Sequence, residues 1–327
     1  MKSIKYCNEE PAFLTRMAQI TAMQRIGRVG MNCGCEYTAF PLFCSLRPYS
    51  RLQHSVGVAQ IVWQHTHDKR QAVAGLLHDI ATPAFAHVID FLHGDYLTQE
   101  STEEGTRSII EQSDDLMAML ALEGLGLDEV CDYHQYPIAD NDSPRLSADR
   151  LEYTLGNMVN FRFATTEEAQ RLYDDITVGT NEEGEPELVF TDPQAAHRFA
   201  RLSLQCSYIY TSDQDRYAMQ ILAELIAEAI RRGILDEKDL YTDEPTIIDR
   251  LMADSYMRSR WQQFRSMRCL CYPETDTPES RIIDAKRRCI DPLVSGAGRV
   301  SALFPGYKVL LEQYRITPYD YRMAVER

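Results

Sequence analysis

The sequence predicts a mostly α protein: a helical bundle with a small β-hairpin and one late strand. Three observations predict it. Apolar residues recur at helical spacing through most of the chain, and good helix starts stand before them at Ser50, Asp68 and Ser147. One stretch, 176–191, has two β-type runs around a polar turn containing glycine. The composition is 44% apolar and 25% charged over 327 residues, which is ordinary for a globular chain and long enough for a sizeable core.

Pro11 suits the first position of a helix running to about Ile26, with Gly27 as its stop. Residues 28–49 read as loop, with a short strand over 36–40. Ser50 caps a helix over about 51–66, whose apolar side carries Val56, Ala59, Ile61, Val62 and Trp63. Asp68 caps the next, about 69–80, with Ala72, Val73, Leu76 and Leu77 inward. Pro83 interrupts the pattern, and a further helical turn carries Phe85 to Leu92. Residues 101–123 and 128–134 read as helix, and 141–144 as a turn. Ser147 or Ser143 then starts a helix through about Asn160, and 166–176 is helical. After the hairpin come helices at about 193–210, 213–232 and 246–267, a strand within 280–294, and helix again over 306–325. There is no repeat or low-complexity tract, and 269–280 is the weakest segment.

Charge bounds the partners. Thirty-four basic against 49 acidic side chains give a net charge of −15, which argues against a nucleic-acid scaffold but leaves small anionic ligands open. Nine cysteines, an odd number spread over a long chain, do not form a disulfide framework. The first residues lack an apolar signal region, and no stretch approaches the roughly 20 apolar residues of a membrane span. A reducing, cytoplasmic setting with free thiols and no membrane is expected.

The chemistry-bearing residues lie between 47 and 153. They are His54 in RLQHSVGVA, the doublet His78 and Asp79 in GLLHDIATPAFAH, and Asp149 in ADRLEY. Two imidazoles and two carboxylates form a mixed nitrogen and oxygen donor set. It suits one divalent transition metal (Mn²⁺, Fe²⁺, Co²⁺, Ni²⁺ or Zn²⁺) better than Ca²⁺. Neighbouring residues on a helix point about 100° apart, so the doublet can reach one ion only near a helix end. Pro83 supplies that end. The other His and the distant Asp must come from separate helices, as in metal sites within helical bundles.

These motifs resemble the HD-domain superfamily of metal-dependent phosphohydrolases, and look most like its deoxynucleotide triphosphohydrolase-like branch. The resemblance spans 47–153, about a third of the chain. It implies that His54, His78, Asp79 and Asp149 bind the metal and that Arg51 and Arg150 contact substrate phosphate. It further implies that Tyr153 lies against a nucleotide, and that His87, hydrogen-bonded by Asp90, stands near the reacting phosphate. Such an Asp can orient the imidazole and raise its pKa. Two positions depart from the branch, which has histidines where this chain has Thr82 and Gln99. With those imidazoles gone, His87, Glu100, Glu103 or Glu104 could supply an acid.

The implied function is metal-dependent hydrolysis of a phosphate ester, with a nucleotide as the small anionic substrate. Two alternatives stay open: a nucleotide- and metal-binding sensor or assembly subunit without turnover, and a phosphodiesterase on a cyclic or linear nucleotide. The expected organisation is a metal-binding core over 1–160 with a helical extension over 161–327 packed on it as one unit, assembling as a homo-oligomer. Other candidates read more plainly. His65 and His67 suit the positive charge favoured at a helix C-terminus. His93, His134 and His197 read as surface or core residues. The Cys33/Cys35 and Cys269/Cys271 pairs read as free thiols, since structural zinc spacing is usually wider.

Overall fold

The structure is a computed structural model that describes residues 4–94, 97 and 105–326. The described residues are mainly helical, with one four-stranded and one two-stranded sheet. Two helices, α1 (Ala12–Ala18) and α2 (Thr21–Ile26), stand where one was expected, because the chain is extended at Ile20. No strand forms over 36–40. Cys35–Tyr37 is a 3-10 turn, and the strand contact near it is a lone bridge between Gly30 and Ser50.

The next pair, α3 (Arg51–Thr66) and α4 (Lys69–Leu77), begins at the expected caps. Ser50 accepts from the Gln53 backbone, and the Gln53 side chain accepts from Ser50 N–H at 2.9 Å. Asp68 accepts from Arg70 N–H at 2.9 Å. The helices approach closely because Gly75 faces Val58 and Val62. Helix α4 stops at Leu77, short of the expected end, and the chain turns through the doublet. Arg25 donates to the carbonyls of Ile80 (2.6 Å) and Thr82 (2.9 Å), which no helix now satisfies. The turn expected from Phe85 starts later, as α5 (Val88–His93), because Phe85 and Ala86 take left-handed φ values of 62° and 48°.

The 101–123 helix is broken at Ser113 into α6 (Thr106–Gln112) and α7 (Asp114–Glu123), with 101–104 outside the described residues. The 128–134 stretch holds 3-10 turns. Ser147, not Ser143, caps α8 (Ala148–Asn160), and α9 (Thr166–Asp174) follows. The hairpin pairs β1 (Ile176–Thr180) with β2 (Pro186–Phe190) in antiparallel register, Ile176 opposite Phe190. The two long helices are α10 (Pro193–Tyr210) and α11 (Asp213–Arg231).

The 246–267 helix divides at Asp254 into α12 (Glu244–Ala253) and α13 (Ser255–Ser266), and the Asp254 carboxylate caps the second. Beyond the short β3 (Leu270–Cys271), the late strand is confined to β4 (Leu293–Val294). It runs parallel to β2 through Phe190 and Val294, with β5 (Gly298–Arg299) antiparallel beside it. The preceding residues are tied down by isolated bonds rather than a ladder. Ser143 Oγ donates to the Cys289 carbonyl (3.0 Å), Tyr307 Oη to the Ile290 carbonyl (2.6 Å), and Asp291 N–H to the Pro144 carbonyl (2.8 Å). The chain ends with α14 (Val300–Leu303), α15 (Pro305–Ile316) and β6 (Ala324–Val325), which pairs with β3, so 306–325 is helical only in its first part.

Two buried apolar clusters form the core, and each takes side chains from both sides of residue 160. One joins Val62 and Leu155 with Phe199 and Tyr314; the other joins Phe43 and Phe85 with Leu222 and Trp261. Among the described residues no helix is long and apolar enough to cross a membrane. The nine cysteines are unpaired.

Candidate metal centre and its cavity

Three helices aim their donors at one point. His54 comes from the first turn of α3, His78 and Asp79 from the turn that ends α4, and Asp149 from the first turn of α8. His54 Nε2 lies 2.9 Å from Asp149 Oδ1, and His78 Nε2 lies 3.6 Å from the same oxygen. Donor atoms of these three residues all fall within 4.8 Å of one another. Asp79 Oδ2 is 3.6 Å from His78 Nε2 and 4.0 Å from His54 Nε2. Such spacings suit ligands of one ion with bonds of about 2.0–2.2 Å. Asp79 is also engaged from behind: Arg51 Nη1 donates to both of its oxygens, at 3.1 and 3.2 Å, and Thr82 Oγ1 to one of them at 2.7 Å.

Each imidazole is oriented by its other nitrogen. His78 Nδ1–H donates to the Gly75 carbonyl (2.8 Å), which leaves the Nε2 lone pair facing the carboxylates. His54 Nδ1 donates to Glu152 Oε2 at 2.6 Å. Glu152 is buried one helical turn after Asp149 and also accepts from Tyr49 Oη. Both approaches need bare backbone. A Cβ on Gly57 would meet Glu152 Cγ at 2.6 Å, and one on Gly156 would meet Tyr49 Oη at 2.7 Å. The donor set and its outer hydrogen bonds fit a divalent ion.

Charges follow from these contacts. Burial alone would depress His54, but its hydrogen bonds to Asp149 and Glu152 outweigh that and lift it to about 10. Burial raises Asp149, and the bond and charge of His54 overcome it, bringing it to about 2. Asp79 stays well below the usual carboxylate range, because Arg51 and the two histidines overcome its burial.

The cluster forms part of the wall of a cavity of about 630 Å³. Most residues singled out from sequence line it: Arg51, His87, Arg150 and Tyr153 all face this space, and Asp90 stands behind His87. Arg51 is 7% exposed, and its Nε is buried with no hydrogen-bond partner among the described residues. Arg150 is more engaged than expected: it reaches Asp140 (3.1 Å), Asn141 Oδ1 (2.8 Å) and the Arg145 carbonyl (2.9 Å). The Tyr153 ring lies 6.3 Å from that of His54. His87 Nδ1 donates to Asp90 Oδ2 at 3.0 Å, and its Nε2 faces Arg288 Nη2 at 3.4 Å. The expected rise in its pKa does not occur: burial outweighs Asp90 and brings His87 down to about 4. Glu100, Glu103, Glu104 and Gln99 lie outside the described residues.

Several residues of the site lie outside the motifs. Glu152 follows Asp149 by three, and i and i+3 share a helix face, so its place beside the cluster is legible from spacing. Lys286 and Arg288 also line the cavity, from a stretch read as strand. His134, expected as a surface or core residue, lines the cavity 3.5 Å from Asp140. His65 does not carry the charge expected of a helix end, because burial lowers it to about 4.

The architecture and site define a mostly helical protein with a His/His/Asp cluster of metal-binding type facing a cavity. No family profile matches the chain. It is similar to the "Metal-dependent phosphohydrolase cns2" of Cordyceps militaris, 25% identical over 287 residues that cover 84% of this chain and 80% of that protein. It is also similar to the "Uncharacterized protein YdhJ" of Bacillus subtilis, 24% identical over 256 residues, covering 75% and 74%.

Proposed function

We propose that this chain is an HD-type metal-dependent phosphohydrolase whose substrate is a phosphate ester, with a nucleotide as the favoured class. One observation carries the reading. Both His54 and His78 have Nδ1 tied to a protein acceptor, so both Nε2 atoms turn to Asp149 and Asp79 beside a cavity. The name of the Cordyceps relative supports the same reaction class.

His54, His78, Asp79 and Asp149 would hold one divalent transition ion (Mn²⁺, Fe²⁺, Co²⁺, Ni²⁺ or Zn²⁺). Such an ion supplies Lewis-acid polarisation of a phosphoryl oxygen and activation of water. The chain's own groups do the rest. Arg51 orients Asp79 through Nη1 and lines the cavity, so its guanidinium places positive charge beside a phosphate bound there. His87 is neutral near pH 7 with Nδ1–H fixed on Asp90, so its Nε2 acts as a proton acceptor in that state. Arg150 holds the wall through Asp140, and Tyr153 supplies an aromatic face. Residues 1–160 provide the metal centre in this reading, and 161–327 pack on them as one unit.

A second reading, metal and nucleotide binding without turnover, is favoured by Thr82. Its buried hydroxyl is committed to Asp79 at 2.7 Å, where the branch has an imidazole. Elemental analysis followed by a phosphate-ester screen decides. About one transition ion per chain, lost in the His78→Ala/Asp79→Ala variant, together with phosphate release, supports the hydrolase. Bound metal with saturable nucleotide binding and no product supports the second reading; release of inorganic triphosphate marks a triphosphohydrolase, and cleavage that releases neither free phosphate nor triphosphate points to a diesterase. A chain that takes up no ion refutes the metal centre.

A further inference from the structure

A second cavity of about 450 Å³ adjoins the first. The two share Arg150, Tyr153, Lys286 and Arg288 on their walls, so the spaces meet at the edge of the metal centre. In a chain with a net charge of −15, this outer chamber gathers Arg145, Arg150, Lys286, Arg287 and Arg288. Asp140, Asp142 and Glu185 are the acids facing the same space, and Asp140 is taken by Arg150. Arg145 pairs with Glu183, and Arg287 lies 3.4 Å from Asp284 and donates to the Thr317 carbonyl at 2.7 Å. Arg287 Nε remains buried with no hydrogen-bond partner among the described residues.

The walls are fixed in advance. Ser143 Oγ bonds the Cys289 carbonyl and Asp291 N–H bonds the Pro144 carbonyl, which clamps the basic stretch against the loop before α8. Positive charge collected at the mouth of a catalytic cavity and held rigidly is the arrangement that binds a phosphate group with little reorganisation.

We propose that the outer chamber is a second phosphate subsite, so that the substrate carries one phosphate at the metal centre and another held by Lys286, Arg145 and Arg287. This rests on the phosphohydrolase reading above. The test compares wild type with Lys286→Glu and, separately, the milder Arg145→Gln, each checked for an unchanged thermal transition. The first measurement is calorimetric titration of the full chain with inorganic pyrophosphate in the presence of EDTA. The subsite predicts binding that weakens at least tenfold in both variants. Equal affinity in all three proteins, or no binding to wild type, overturns it whether or not any ester is cleaved.

The second measurement is the turnover of one nucleoside's monophosphate, bisphosphate and triphosphate. The expected result is a KM raised at least tenfold for the substrates with a further phosphate in both variants, with kcat and the monophosphate KM unchanged in Arg145→Gln, whose side chain lines only the outer chamber. A uniform loss on all substrates in Arg145→Gln overturns the subsite. Stimulation of monophosphate turnover by free pyrophosphate also overturns it, because the chamber would then serve a separate effector. Failure of every ester in wild type counts against the hydrolase reading, and the calorimetric result still decides the subsite.

Discussion

Glu152 sits behind His54 and governs what that imidazole can do. With Nδ1 bonded to Glu152, only Nε2 remains for an ion. Glu152→Gln should lower metal affinity about 10–100-fold while the fold persists, as seen by competition with a metallochromic chelator. His54 holds its proton up to about pH 10 in the metal-free chain, so an ion bound near pH 7 should expel roughly one proton. Calorimetry in buffers of different ionisation enthalpy reads this, and metal affinity should rise with pH below that value. Asp215 gives a second pH dependence. Burial lifts its carboxyl to about 8, against about 3.9 in an unfolded chain. The folded state therefore keeps a proton that the unfolded state loses, and this contribution to stability drains away as pH rises from about 4 to 8. Asp215→Asn should flatten that slope in denaturant titrations at several pH values. At this scale His54, His78, Asp79 and Asp149 were legible because their flanking residues carry a pattern. Lys286 and Arg288 were not, because they reach the cavity through an irregular segment that no spacing rule describes.

Elements were legible where a local cap fixed them. Ser50 and Asp68 set the starts of α3 and α4, and Asn181 and Gly184 shape the turn between β1 and β2. Boundaries failed where tertiary contacts overrode periodicity. Arg25 takes the carbonyls beyond α4, and left-handed Phe85 and Ala86 delay α5. Neither is visible from apolar spacing. The packing of α3 on α8 depends on glycine at the crossing, so Gly57→Ala should cost about 1–3 kcal/mol of stability and displace Glu152 from His54. Chemical denaturation measures the first effect and metal titration the second; a variant with wild-type values in both would show that the crossing has slack.

Across the whole molecule, the two buried clusters bind the halves of the chain together. Trp261 and Leu222 complete one with Phe43 and Phe85, and Phe199 and Tyr314 complete the other. A fragment ending at residue 160 should therefore lack a cooperative thermal transition, whatever its helix content by circular dichroism. The mostly α architecture was readable from composition and periodicity. The mixed sheet was not, since Phe190 and Val294 meet in parallel across a long stretch of intervening chain.

The contact between Arg288 and His87 spans 201 positions. During synthesis the two histidines, Asp79 and Asp149 leave the ribosome well before the wall that carries Lys286 and Arg288. Neither buried cluster is complete before the second half of the chain emerges, so the donors would converge only once that half has packed on the first. Loading of an ion would then follow completion of the chain, and the finished pocket rather than the nascent donors would do the choosing.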